Sequence, residues 1–269
     1  MEKLLFQSDD YGISDAVSDG IIKGIKEGII RNTGLFVNMP SSLRAANMIK
    51  DIKGINVGID INLVAGRPVS DPKLVPHLVD ENGHFISSGQ RMKNGKILGV
   101  NGLEIIFEDD PYVYEETLLE TENQVKRFIE LMGRKPDYFH PHSLMTNNTE
   151  RCAIEIAKKY GILRSVDVMK SANIYSIPCD WTPKPFPLAD QMNTDVENNF
   201  LKALSLSLDH KIGYFICHCG HVDADLLSET TYTLIRTKDL ACALSDKVKK
   251  FLKDNNIELV TYSDIKGDL

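Results

Sequence analysis

The chain has 269 residues, 42% of them apolar, enough to bury a sizeable core in one large α/β domain or two small ones. A net charge of -7 and the lack of a Lys/Arg-rich block exclude nonspecific nucleic-acid binding, and no apolar run approaches a membrane span. Met1-Glu2-Lys3 leads straight into a strand-like run without the apolar stretch of a signal peptide; with five cysteines, an odd count, this predicts a cytoplasmic protein with reduced thiols.

Strand-like runs alternate with helical patterns almost throughout. Leu4 to Ser8 reads as the first strand, and Ser14 to Gly28 as a helix with Val17, Gly20, Ile21 and Gly24 at spacings of three and four. Gly34 to Asn38 is the second predicted strand, and Pro40 and Ser41 open a helix running to about Lys53. Ile55 to Leu63 is the third; Ile59, Ile61 and Leu63 alternate with Gly58, Asp60 and Asn62. From Ala65 to about Tyr114 the periodicity fails among prolines and glycines, which suggests a substrate-covering excursion from a single domain spanning 1–269.

Glu115 to Met132 reads as a long amphipathic helix stopped by Gly133. Asp137 to His142 is the fourth strand, Asn147 to Tyr160 a helix stopped by Gly161, and Ile162 to Val166 the fifth strand. A Pro-rich, polar loop runs to about Asn193. Thr194 to Asp209 is helical, Gly213 to Cys219 is the sixth strand, Lys238 to Asn255 is helical, and Ile257 to Tyr262 is the seventh strand. Interleaved helices imply a parallel sheet, either open and doubly wound or closed as a barrel. Polar groups at the C-terminal ends of several nonconsecutive strands favour the barrel.

Those groups are chemically specific. Asp9 and Asp10 sit side by side where the first strand ends, a costly arrangement unless a cation or proton neutralises one of them. An active-site reading gives one Asp a metal and the other a proton; a bland reading is an exposed loop before the Ser14 cap. Asp60, flanked by Ile59 and Ile61, must be paired, protonated or metal-bound if it points into a barrel. His140 and His142 flank Pro141, a spacing that sends both rings to one side if the strand continues, and they suit Zn²⁺ or another divalent transition ion. Cys217-His218-Cys219 has C-x-C rather than C-x2-C spacing, so the thiols read as small core residues and leave His218 free to act as an acid.

With these residues in place, the chain resembles the YdjC-like carbohydrate deacetylases. The likeness runs through Ser8-Asp9-Asp10-Tyr11-Gly12-Ile13-Ser14, Gly28 to Thr33, Val37-Asn38-Met39-Pro40, Val57 to Leu63, Gly66 to Ser70, Val75 to Phe85, His218-Cys219-Gly220 and Arg236. It implies a TIM-like (β/α)7 barrel and divalent-metal-dependent removal of an N-acetyl group from small amino-sugar oligosaccharides. By motif, Asp9 is then the general base, Asp10 and His142 are metal ligands, and His218, protonated, assists at the acyl oxygen or leaving amine. Arg236, His140 and Asn62 are expected at the substrate.

Two departures stand out. Asp60 replaces the family's histidine ligand on the third strand, and the histidine-rich block after the fourth strand is thinned to His140-Pro141-His142. A set of Asp10, Asp60 and His142 is harder than the usual one and moves preference from Zn²⁺ toward Mg²⁺ or Mn²⁺, with Co²⁺ also admissible. His142 to Thr146 is similar to a short element of the NodB-type polysaccharide deacetylases, which points to the same chemistry. Sugar specificity is expected from the 65–114 excursion and the segment around Trp181, and the family suggests a homodimer. The competing readings are a noncatalytic sugar-binding relative that has lost the metal and a hydrolase of another amide or ester. A serine nucleophile is disfavoured, because no G-x-S-x-G elbow is present.

Overall fold

The strand that opens the chain, β1 (Lys3–Tyr11), lies at the centre of a parallel sheet. A computed structural model describes residues 1–181 and 186–266. After β1 come α1 (Asp15–Glu27), β2 (Asn32–Leu35), α2 (Ser42–Ile49), β3 (Asn56–Ile61), α3 (Ser88–Asn94), β4 (Ile97–Asn101) and β5 (Glu104–Phe107). Then follow α4 (Tyr114–Met132), β6 (Phe139–Pro141), α5 (Asn147–Tyr160), α6 (Ser165–Ser171), β7 (Tyr175–Ser176), α7 (Leu188–Asn193) and α8 (Val196–Leu206). The chain continues through β8 (Ile212–Cys217), α9 (Ala224–Glu229), α10 (Ile235–Leu244), α11 (Asp246–Asp254), β9 (Glu258–Leu259) and α12 (Tyr262–Lys266).

The seven-stranded sheet runs β6-β3-β2-β1-β8-β7, with β9 paired to the start of β1. It is the curled sheet of a TIM-like (β/α)7 barrel with helices outside. Side chains alternate across it as the pleat requires. Leu4, Phe6, Ile59, Phe139, Phe215 and Cys217 join the large apolar cluster, where Phe200 of α8 packs on both Phe6 and Phe215. Leu5, Tyr138, Ile212 and Tyr214 belong to a second, smaller cluster that includes Val260, Tyr262 and Ile265. Tyr262 and Ile265 come from α12, so this terminal helix packs against the face opposite the main core.

The helix boundaries follow from caps. Ser14 accepts a hydrogen bond from the Val17 N–H, and Gly133 and Gly161 take left-handed conformations that end α4 and α5. The helix expected over Lys238 to Asn255 is instead two, because Ser245 is extended and caps α11 through its hydroxyl. The fifth predicted strand reduces to one parallel bridge, Phe139 to Arg164, since Ser165 already opens α6. The seventh shrinks to β9, as Tyr262 is drawn into α12. The second strand ends at Leu35, short of Asn38, whose side chain holds the Ala65 and Arg67 carbonyls.

The 65–114 excursion is more regular than its composition predicts. It contains α3 and an antiparallel hairpin, β4–β5, turning at Gly102 with φ 63°. The polar loop expected to run to about Asn193 includes 182–185, which lie outside the described residues. Among the described residues no helix is long and apolar enough to cross a membrane.

One close approach in the sheet is decisive for packing. A Cβ on Gly34 of β2 would lie 1.7 Å from Oδ1 of Asp60 on β3. Gly34→Ala is therefore expected to cost about 3 kcal/mol or more in chemical denaturation, and far less in an Asp60→Ala background. Equal cost in the two backgrounds would refute the contact.

Candidate active site

β1 is interrupted where its chemistry lies. Its register with β2 shifts between Ser8 and Tyr11, and Asp10 takes φ 67°, a left-handed conformation rare outside glycine. On a regular strand Asp9 and Asp10 would face opposite sides; here both line one cleft of about 610 Å³. The cleft opens beyond the C-terminal ends of β1, β6 and β8, where barrels gather reacting groups.

Each carboxylate has its own partners. Asp9 Oδ2 lies 3.4 Å from His140 Nε2, and its Oδ1 accepts from Gln7 Nε2 at 2.5 Å. Gln7 is fixed in turn by the Tyr262 hydroxyl, which donates to its Oε1 at 2.6 Å, and His140 Nδ1 is 2.8 Å from Ser165 Oγ. Asp10 Oδ2 receives Arg236 Nη2 at 2.6 Å, and its Oδ1 lies 3.2 Å from His142 Nδ1. Arg236 is itself buried, with Nε donating to the Tyr232 carbonyl at 2.7 Å.

These contacts fix the charge states. Burial pushes Asp9 upward, but His140 and His218 outweigh it and hold the carboxyl below its ordinary value. Burial also opposes ionisation of Asp10, and Arg236, His142 and His218 overcome it to leave Asp10 strongly acidic. Asp60 goes the other way: burial and the charges of Asp9 and Asp10 push it well above the ordinary range. Of the three neighbouring carboxyls, Asp60 is the one whose proton is held most tightly.

His218 lies one residue beyond β8 and lines the cleft with Tyr214 and Ile216, the face its alternation predicts. Cys217 and Cys219 lie buried in the apolar core, 3.6 Å apart and unbridged. Desolvation pushes the His218 imidazole below its ordinary value. Its backbone N–H donates to Asp239 Oδ2 at 3.0 Å.

The expected metal ligands are only partly brought together. Asp10 Oδ1 is buried without a hydrogen-bond partner, 3.2 Å from His142 Nδ1. That is the separation of an ion pair, and also of two donors on one cation, roughly 3.3 Å apart for tetrahedral bonds near 2.0 Å. These two residues fit an ion. Asp60 Oδ2 accepts the Asp10 backbone N–H at 3.2 Å, its carboxyl packs over Gly34, and its Oδ1, like that of Asp10, is buried without a hydrogen-bond partner. Among the described residues no group of three His, Cys, Asp or Glu side chains is spaced to hold a metal ion.

Asn62 is likewise redirected. It is absent from the cleft lining, and its amide bonds Asn38, Ala65 and Val64, stapling the loop after β3. Trp181 packs on Phe215 with ring centroids 5.9 Å apart, so it supplies core. His140 and Arg236 do line the cleft.

Gln7, Tyr232 and Asp239 escaped the sequence reading. Gln7 and Asp9 are two apart on β1, a spacing that signals a shared face; Tyr232 and Asp239 lie one helical turn either side of Arg236, a weaker cue.

The chain matches the family model for YdjC-like protein over residues 3–254. It is 28% identical over 271 residues to the carbohydrate deacetylase of Clostridium beijerinckii, covering 98% of this chain and 100% of that one. It is 27% identical over 269 residues to carbohydrate deacetylase 2 of Listeria innocua, covering 98% of each. A solved structure of a putative cellobiose-phosphate cleavage protein from Enterococcus faecalis superposes with a TM-score of 0.75 at 20% identity, over 98% of each chain, and so shares the fold.

Burial pushes Asp239 up to about 6, against the acceptor role it plays for the His218 N–H. Its folded value exceeds the unfolded one, so stability is greatest below about pH 4 for this group and is lost as pH rises through about 6. Asp239→Asn is expected to gain thermal stability relative to the parent across that window. Melting curves of the two proteins from about pH 4 to about pH 7 test this; a constant difference in midpoint would assign the pH response to other groups.

Proposed function

The chain belongs to the YdjC-like family, and from that premise we propose that it is a carbohydrate deacetylase removing N-acetyl groups from small amino-sugar oligosaccharides. The observation that carries the reading is the paired carboxylates of the β1 bulge, each matched to its own histidine at the floor of a cleft sized for a small ligand. The names borne by its relatives support the substrate class.

Asp9 is the general base. Its ionised carboxylate, oriented by Gln7 and His140, takes a proton from the attacking water. His218, whose imidazole burial holds below its ordinary value, takes from Asp9 the proton drawn from the water and passes it to the leaving amine as the C–N bond breaks. Arg236 keeps Asp10 ionised and fixed, and Asp60 holds the amide of the bulge. Asp10 and His142 would hold a divalent ion, Mg²⁺ or Zn²⁺ with Mn²⁺ or Co²⁺ as alternatives, which when bound supplies Lewis-acid polarisation of the acetamide carbonyl.

The engagement of Asp60 with the Asp10 backbone amide, where the family carries a histidine, favours a second reading, a sugar-binding relative without hydrolytic activity. Acetate release from short N-acetylglucosamine oligomers, after metal removal and add-back of each ion singly, separates the two. The enzyme reading expects metal-dependent release and a fall of about 10²–10⁴-fold in Asp9→Asn. Turnover unchanged in Asp9→Asn would sink the assignment of the base, and no release with any ion would favour the binder.

A further inference from the structure

The cleft has a built aromatic corner that the chemistry above does not use. Phe186 lines it at φ 71°, a costly backbone conformation for a bulky residue. Its ring meets Tyr232 edge-on, with centroids 5.1 Å apart and planes at 79°. Tyr232 in turn lies 4.8 Å from the His218 ring, and its carbonyl receives Arg236. The corner is thus adjacent to the reacting groups.

A buried glutamine fastens its two sides together. Gln191 Nε2 donates to the carbonyls of Phe186 and Thr231, at 2.6 and 2.9 Å. Its Oε1 accepts from the backbone N–H groups of Thr233 and Ile235. Gln191 is 0% exposed, so one side chain with no access to water ties the loop carrying Phe186 to the loop carrying Tyr232. Glu229 lines the same cleft, with one carboxylate oxygen on the Gly66 N–H.

We propose that Phe186 is a specificity-determining residue: braced by Tyr232 and held by Gln191, it receives the apolar C–H face of a pyranose ring while Glu229 accepts hydrogen bonds from that ring's hydroxyls. The strained backbone presents a flat apolar surface beside the acid–base groups, and a sugar ring has one face of C–H bonds and a rim of donors. A ring seated there lies beside Tyr232, whose ring is 4.8 Å from that of His218. The inference rests on the carbohydrate reading of the cleft.

The test measures binding of N,N'-diacetylchitobiose by calorimetry, together with kcat and KM for acetate release from it. Phe186→Ala is expected to weaken binding and raise KM by about tenfold, leaving kcat within about twofold, because contact with a ring face that takes no part in bond breaking is made equally in ground and transition states. Phe186→Tyr, which keeps the flat face, restores affinity, and Phe186→Leu, apolar without it, does not. Gln191→Leu weakens binding in the same direction and adds nothing further in the Phe186→Ala background. Affinity and KM unchanged in both Phe186→Ala and Phe186→Leu would overturn the proposal, as would a loss confined to kcat. Sugar binding that depends on Phe186 in a protein releasing no acetate would uphold it while refuting the deacetylase reading. Acetate release with KM indifferent to Phe186 would do the reverse.

Discussion

The active-site arrangement depends on a single irregularity, the bulge that interrupts the pairing of β1 with β2 between Ser8 and Tyr11. A regular strand cannot aim two consecutive side chains at one site, because its pleat sends them to opposite faces. Placing Asp10 in the left-handed region re-aims it beside Asp9 and withdraws its amide from the ladder. That amide is buried and needs an acceptor, which Asp60 provides from two strands away. Gly34 is required between them, since any side chain on β2 at that point would occupy the space of the Asp60 carboxyl.

The same geometry settles the electrostatics. Three carboxyls share a volume poor in water, and three ionised groups there would be prohibitive. The partners are not evenly distributed: Arg236 and His142 meet Asp10, His140 meets Asp9, and among the described residues Asp60 meets the Asp10 backbone amide. Asp60 therefore keeps its proton most tightly. An aspartate at position 60 is compatible with the fold because it serves as a hydrogen-bond acceptor for the bulge.

Around this centre, polar side chains hold loops where catalysis and recognition need them. Gln7, Asn62 and Gln191 are buried amides that each tie separate segments together, β1 to α12, the end of β3 to Asn38 beyond β2, and the Phe186 loop to the Tyr232 loop. A buried amide left unpaired is expensive, so each such bond set selects one loop arrangement over its neighbours. This is how a cleft assembled from several loops acquires a defined shape.

The sequence by itself determined the α/β alternation, most helix boundaries and the inward-facing residues of β3 and β8, because these follow from local periodicity and capping chemistry. Asp9, Asp10, His140, His142 and His218 were legible as candidates because buried strands end in polar groups only at a cost that function explains, whereas Arg236, on α10, entered through the family resemblance alone. Only the tertiary structure decided what each of them meets. Asp60 and Asn62 sit on the face their alternation assigns, yet one is drawn to the Asp10 amide and the other to its own loop. The fifth and seventh strands dwindled because α6 and α12 begin within them. The bulge and the Phe186–Tyr232 corner have no periodic signature, being made by hydrogen bonds between residues far apart in the chain, and such long-range partners become visible only once the backbone has brought them together.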